Sequence, residues 1–371
     1  MSFSSIPDIV ADIRAGRMVV IADDEDRENE GDLIMAAQAV TPEAIAFIVR
    51  HSSGIICQPT TRERLEQLRL PQMVSDNSES HRTAFTVSVD CKHGTTTGVS
   101  AHDRALTIRA LADPASKPED FARPGHIFPL RYTEGGVLMR AGHTEASIDL
   151  VRLADMSSQS AILCEIVNDD GTMKRGADLL AFADQHGLKV GTIADLIRYR
   201  LQTEKTVERM FEREVNTEFG AFRLFGYRDR LSPLPHFALV RGTIDDGAPV
   251  VARVHVRDTL SDVLHLQRGE HATTVSAALR HIAALGRGVV VVLADADEAQ
   301  TALGRISLPA QPARDDTHDW RRHGVGAQIL ADLGAHRLRV LGTPRRFLGL
   351  AGFGLEVVGY EQVGDDDAPL R

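Results

Sequence analysis

Between two strand-like apolar runs, residues 18–22 and 33–37, the chain crowds seven carboxylates around one arginine: Asp23, Asp24, Glu25, Asp26, Arg27, Glu28, Glu30 and Asp32. Like charges at this spacing repel and raise one another's pKa unless a positive charge sits among them. A divalent ion that prefers oxygen ligands, such as Mg²⁺, supplies that charge, although a short acidic run taken alone also reads as a solvated turn. Much later in the chain, Arg140-Ala141-Gly142-His143-Thr144 gathers a forked guanidinium, a backbone-exposing glycine, a metal-capable imidazole and a hydroxyl donor. Acidic loop and basic cluster together point to a metal and a phosphorylated substrate.

Periodicity gives a mixed α/β to α+β chain. Residues 5–15 have helical spacing, 18–22 and 33–37 read as strands, and Thr41-Pro42-Glu43 opens a helix with an N-cap and a first-turn proline. Residues 83–89 alternate like another strand, Asn168-Asp169-Asp170-Gly171 is a turn, and residues 176–186 are helical with Gly187 as the stop. Residues 192–213 form a charged, helix-prone stretch without Gly or Pro, and a domain boundary is expected inside it near Thr203, dividing the chain into 1–203 and 204–371. A length of 371 residues allows two domains with separate cores.

Composition excludes several classes of function. No apolar run approaches the roughly 20 residues that cross a bilayer, and no basic start leads into an apolar signal core, so a cytoplasmic protein without a membrane partner is expected. A formal charge of −10 argues against a nucleic-acid surface. Cys57, Cys91 and Cys164 are widely spaced, odd in number and form no C-x-x-C pair, which suits small buried thiols in a reducing compartment.

Five ordered motifs carry a family resemblance: residues 23–32, Thr95-Thr96-Thr97-Gly98-Val99-Ser100-Ala101-His102-Asp103-Arg104, Arg123-Pro124-Gly125-His126-Ile127-Phe128-Pro129, the Arg140 to Thr144 cluster, and Cys164-Glu165-Ile166. Together they resemble 3,4-dihydroxy-2-butanone 4-phosphate synthase of riboflavin biosynthesis, over about one domain's worth of chain. The resemblance implies conversion of ribulose 5-phosphate to 3,4-dihydroxy-2-butanone 4-phosphate and formate with Mg²⁺ or Mn²⁺. It implies Glu28 and His143 as metal ligands, and His126, Glu165 and Asp32 as catalytic groups. Arg27, Asp32, Arg140, Ala141, Gly142, Thr144, Glu165, Cys57 and Thr97 would contact substrate, and the synthase domain would be a homodimer. His51 and His102 are left as structural, while Asp103 and Arg104 could pair with each other or cap the next helix.

The second half resembles GTP cyclohydrolase II through Thr217-Glu218-Phe219-Gly220, Arg253-Val254-His255, Gly324-Val325-Gly326-Ala327-Gln328 and Gly352-Phe353-Gly354-Leu355-Glu356. It departs from that family where zinc would be held: Asp258, Gly269 and His271 stand at the positions of the family's three cysteines. Ala294-Asp295-Ala296-Asp297-Glu298 replaces its arginine-rich run, and Asp319 and Arg321 keep a later Asp-x-Arg pair. The expectation is an α/β domain without zinc and without GTP ring opening. The alternatives are a bifunctional enzyme and a ligand sensor.

Overall fold

The computed structural model describes residues 3–24, 27–232, 234–266, 273–294, 298, 317–342 and 350–362, with only the backbone described at 317–323. The chain divides into two compact units, 1–199 and 200–371.

The first unit is built on a seven-stranded mixed sheet. Its strands are β1 (Val19–Ala22), β2 (Gly31–Ala36), β3 (Cys57–Thr60), β4 (Val89–Cys91), β5 (Phe121–Arg131), β6 (Ala161–Glu165) and β7 (Val190–Thr192), in the order β4-β5-β3-β6-β2-β1-β7. β1 runs antiparallel to β2 and parallel to β7, and β2 runs antiparallel to β6. All six residues of β2 are buried, as befits a central strand covered on both faces.

Local chemistry explains the helices. Ser5 and Thr41 accept backbone N–H groups at the starts of α1 (Ile6–Arg14) and α2 (Pro42–His51), each with proline in the first turn. Further helices are α3 (Arg62–Gln67), α4 (Ala101–Ala112), α5 (His143–Leu153), α6 (Gly176–His186) and α7 (Ile193–Thr203). Gly187, at φ 65°, ends α6 in the left-handed region that favours glycine. Val20, Leu33, Ile45, Ile48, Ile108 and Ile162 are fully buried in one core, each stabilising the fold by about 1.5–3 kcal/mol relative to exposure.

Two readings from the sequence need correction. Residues 83–88 are not a regular strand: Phe85 and Thr86 make isolated bridges, and β4 begins only at Val89. The helical reading of 192–213 holds only to Thr203. Beyond it, β8 (Val207–Thr217) pairs along its length with β9 (Gly220–Asp229), and ladder pairing overrides the helix propensity of a charged, mostly exposed strand.

The second unit has its own seven-stranded sheet, completed by β10 (Pro235–Arg241), β11 (Val250–Val256), β12 (Gly288–Leu293), β13 (Arg337–Leu341) and β14 (Glu356–Glu361), in the order β14-β13-β11-β12-β10-β9-β8. One half is an antiparallel meander and the other half is parallel.

Candidate active site

The acidic segment is the loop that joins β1 to β2, whose register sets Ile21 beside Asp32 and Ala22 beside Gly31. Asp23 organises it. Its side chain is 1% exposed, and its two oxygens accept Glu28 N at 3.0 Å, Glu30 N at 2.8 Å and Arg27 Nη1 at 2.9 Å. Sequence reasoning gave Asp23 no role, and its one signal was being the first acid after the strand. Arg27 also donates to Glu28 Oε2 at 2.7 Å. Glu25 and Asp26 lie outside the described residues.

The start of α5 brings His143 to this loop. Its Nε2 lies 3.2 Å from the Ile21 carbonyl oxygen, which only accepts, so Nε2 carries a proton. Nδ1 is thereby turned to the carboxylates, 3.5 Å from Glu28 Oε2 and 3.9 Å from Asp32 Oδ1. Two carboxylate oxygens facing a ring nitrogen are stable only with a cation or a proton between them. Asp32 Oδ1 is buried with no hydrogen-bond partner. Asp23, Glu28 and His143 present ligand atoms within 4.8 Å of one another, the one such group among the described residues.

The electrostatics express the same convergence. Burial pushes the Asp32 carboxyl up, with Glu165, Glu28 and Glu30 adding to the rise, to about 8. Burial works against the His143 imidazolium, but Asp32 and the hydrogen bond with Glu28 outweigh it and hold the group at about 9. Burial also opposes ionisation of Glu28, yet His143 and Arg27 bring it down to about 2. A divalent ion fits this set, because it supplies the positive charge the buried acids otherwise take from a proton.

β6 adds the remaining acid. Asp32 is paired with Glu165 across the β2–β6 ladder, and Ser53 Oγ donates to Glu165 Oε2 at 2.6 Å. Cys57 is 2% exposed and lies beside Leu163 and Phe128 in the sheet; burial, then Glu165, push its thiol well up. Cys164 is raised by burial to about 11, and all three cysteines are free and buried.

Arg140 marks the other end of the site. Its Nη1 donates to Glu145 Oε2 at 2.7 Å, and its Nη2 reaches His81 O at 3.1 Å and Thr83 Oγ1 at 3.3 Å. Gly142 is the N-cap of α5 and brings no capping side chain, and Thr144 is buried in the first turn. First-turn N–H groups beside a guanidinium suit an anion such as phosphate. The strand reading of 83–89 had hidden the loop that meets Arg140. Glu79 holds this loop, and the backbone N–H groups of His81 and Thr83 bring its carboxyl down to about 2. His81 Nε2 stands 3.9 Å from Glu28 Oε1.

His126 and Thr97 belong to a second group. His126 lies on β5 with its ring bonded to Asp90, and Thr97 is exposed on the neighbouring turn. Asp103 and Arg104 do not pair with each other. Ser100 caps α4, Asp103 anchors the turn at Thr96 and Gly98, and Arg104 reaches Gly54 O at 3.4 Å. His51 packs against Phe47, Phe182 and His186, and His102 is exposed.

In the second unit, Asp258 is the N-cap of α8 (Thr259–Asp262), its carboxylate accepting Leu260 N. Glu298 accepts Arg257 Nε and Thr259 N, each at 2.8 Å. Gly269, His271, Asp295, Ala296 and Asp297 lie outside the described residues, as do the side chains of Asp319 and Arg321.

Comparison with known proteins agrees with this division. The family model for 3,4-dihydroxy-2-butanone 4-phosphate synthase matches residues 7–199, and that for GTP cyclohydrolase II matches 207–362. A 3,4-dihydroxy-2-butanone 4-phosphate synthase of Neisseria meningitidis serogroup B is 49% identical over 359 residues, 97% of this chain and 98% of that protein. The crystal structure of a two-domain 3,4-dihydroxy-2-butanone 4-phosphate synthase from A. baumannii is 43% identical with a TM-score of 0.80, covering 98% of this chain and 100% of that one. A synthase structure in complex with two magnesium ions is 51% identical with a TM-score of 0.53, covering 54% of this chain and 98% of its own.

Proposed function

Because the chain belongs to the 3,4-dihydroxy-2-butanone 4-phosphate synthase family, we infer that the convergence of His143 Nδ1, Glu28 Oε2 and the unpartnered Asp32 Oδ1 is its reaction centre. The protein is a 3,4-dihydroxy-2-butanone 4-phosphate synthase of riboflavin biosynthesis and depends on a divalent metal. It converts ribulose 5-phosphate to 3,4-dihydroxy-2-butanone 4-phosphate and formate.

Glu28 and His143 would hold the ion, Mg²⁺ or Mn²⁺, since carboxylate, water and substrate oxygens suit either. When bound, the ion stabilises negative charge developing on substrate oxygens. Asp23 keeps Glu28 in place through the loop backbone. Asp32 Oδ1 and Glu165, neighbours across two strands, face the sugar hydroxyls as orienting and proton-accepting groups, with Arg27 beside them. Arg140, Ala141, Gly142 and Thr144 receive the phosphate at the start of α5, which fixes one end of the substrate while its other end reacts. His126 acts as acid or base from the second group, with Thr97 on the neighbouring turn, and Cys57 lines the pocket on the side of Glu165.

The synthase unit is read as a homodimer, as its family resemblance implies, and light scattering that gives a monomer would count against this. The second unit is read as inactive toward GTP, since Asp258, Gly269 and His271 stand where the resembled family carries three cysteines. The reaction is tested by following formate and the four-carbon phosphate from ribulose 5-phosphate with Mg²⁺, with Mn²⁺ and after EDTA. Full turnover in EDTA would remove Glu28 and His143 from the metal role.

A further inference from the structure

We infer that Asp90 is the positioning residue of His126, and that the turn at residues 95–98 serves to clamp that pair. This rests on reading His126 as the acid or base above.

Asp90 sits at an irregularity in the β4–β5 pairing: Val89 faces Ile127, whereas Asp90 faces Ala122. Residues 123–126 therefore loop out of the ladder, the kind of bulge that re-aims a side chain. The looped segment lies flat on β4. A Cβ at Gly125 would overlap the backbone of Val89 and Asp90, and Gly125 N donates to Ser88 Oγ at 3.1 Å. This close approach lets one carboxylate bind His126 twice. Asp90 Oδ1 accepts the His126 backbone N–H at 2.9 Å, and Oδ2 meets the ring Nδ1 at 2.7 Å.

Since an ionised carboxylate only accepts, Nδ1 carries the proton and Nε2 is left as the nitrogen that exchanges protons with a ligand. Exposure agrees with that division: the Asp90 side chain is 14% exposed and that of His126 46%. The inner partner is fixed while the ring stays open to a substrate.

The clamp gives the 95–104 motif a role beyond the substrate contact read at Thr97. Asp103 Oδ2 accepts Thr96 N at 3.0 Å, Thr96 Oγ1 at 2.8 Å and Gly98 N at 3.0 Å, and Ser100 caps the helix that carries it. Gly98 is thereby held at φ +85° directly over the pair, where a Cβ would overlap Asp90 Oδ2 and lie 2.8 Å from His126 Nδ1. Only glycine meets both demands. Thr107 Oγ1 fixes the next residue of β4 by accepting Cys91 N at 2.9 Å.

The test compares Asp90→Asn, His126→Gln and the double variant in the metal-loaded full chain. Asp90→Asn is expected to lower kcat by about 10²-fold or more with KM changed by less than about threefold, since it removes oriented proton transfer and leaves binding in place. The double variant should be no slower than His126→Gln alone, because the aspartate acts only through the ring. Imidazole ¹⁵N spectra should show His126 protonated at Nδ1 in the parent chain and losing that preference in Asp90→Asn. Gly98→Ala, which intrudes on Oδ2 while keeping the charge, should lower kcat in the same way if Asp90→Asn does not fold. A fully active His126→Gln would overturn the acid–base reading itself. An inactive His126→Gln beside an Asp90→Asn of parental kcat would leave that reading standing and overturn this inference, as would a double variant clearly slower than His126→Gln.

Discussion

Replacing Gly142 by alanine separates the phosphate grip from the fold. The backbone there is extended, at φ −116° and ψ 160°, so alanine fits without backbone strain. Its methyl group, however, would overlap Arg140 Nη1 and lie 2.9 Å from Glu145 Oε2, inside the 2.7 Å bond joining those groups. The atoms in the way end a long arginine side chain, so the guanidinium swings aside while α5 stays put. Glu145, 1% exposed, keeps its bond from Thr133 N, and melting should shift only modestly. Arg140 then loses the partner that aims it. A charge-assisted hydrogen bond contributes about 1.5–3 kcal/mol, so kcat/KM for ribulose 5-phosphate should fall by about 10- to 150-fold. The loss should lie mainly in KM, and inhibition by inorganic phosphate should weaken in parallel. Formate release against substrate concentration, with and without phosphate, measures both. A kcat/KM within about twofold of the parent would refute Arg140 as the phosphate ligand, as would a large loss that leaves phosphate inhibition unchanged.

Glu28→Gln and His143→Ala should each abolish formate release while the chain still melts cooperatively, because each removes a metal ligand while Asp23 goes on shaping the acidic loop that His143 meets from the start of α5; retained Mg²⁺-dependent turnover in either would contradict the assignment. Asp12 is opposed by burial but hydrogen-bonded by Arg17 and Lys189, which leaves its carboxyl below the ordinary value. A depressed carboxylate contributes stability that is present above its unfolded pKa and is lost as the pH falls through its folded one. Urea unfolding should therefore show Asp12→Asn less stable by about 1 kcal/mol or less at pH 6, with the gap closing below about pH 4, and a gap that persists in acid would contradict the linkage. With GTP, the purified chain should release no pyrophosphate and carry no stoichiometric zinc. Zinc-stimulated pyrophosphate release lost in His271→Ala would restore a bifunctional reading.

Where neighbours in sequence are neighbours in space, the residues alone sufficed. The helical spacing of residues 5–15, the Thr41 cap, the Gly187 stop and the apolar runs flanking the acidic loop predict α1, the start of α2, α6, β1 and β2 to within two residues of their observed limits. β8 defeated the same reasoning because no apolar alternation marks it: most of its residues are exposed, and its strand state is fixed by β9 across the hairpin. Residues 83–88 failed for the opposite reason, since alternation was present but a continuous ladder was not.

The site divides along the same line. The acidic loop and the Arg140 cluster are each a continuous stretch of chain, so their chemistry could be read from composition and motif. Their supports are not contiguous. The Arg140 bond to the His81 carbonyl spans 59 residues, and the His126 bond to Asp90 spans 36. His81, Thr83 and Asp90 are ordinary residue types in an unremarkable stretch, and only the looped path of β5 over β4 and the return of α5 to the end of β1 bring them to their partners. Groups that touch substrate need unusual residue types and therefore leave a mark in the sequence. Groups that aim them need only the right place, which the sheet order supplies.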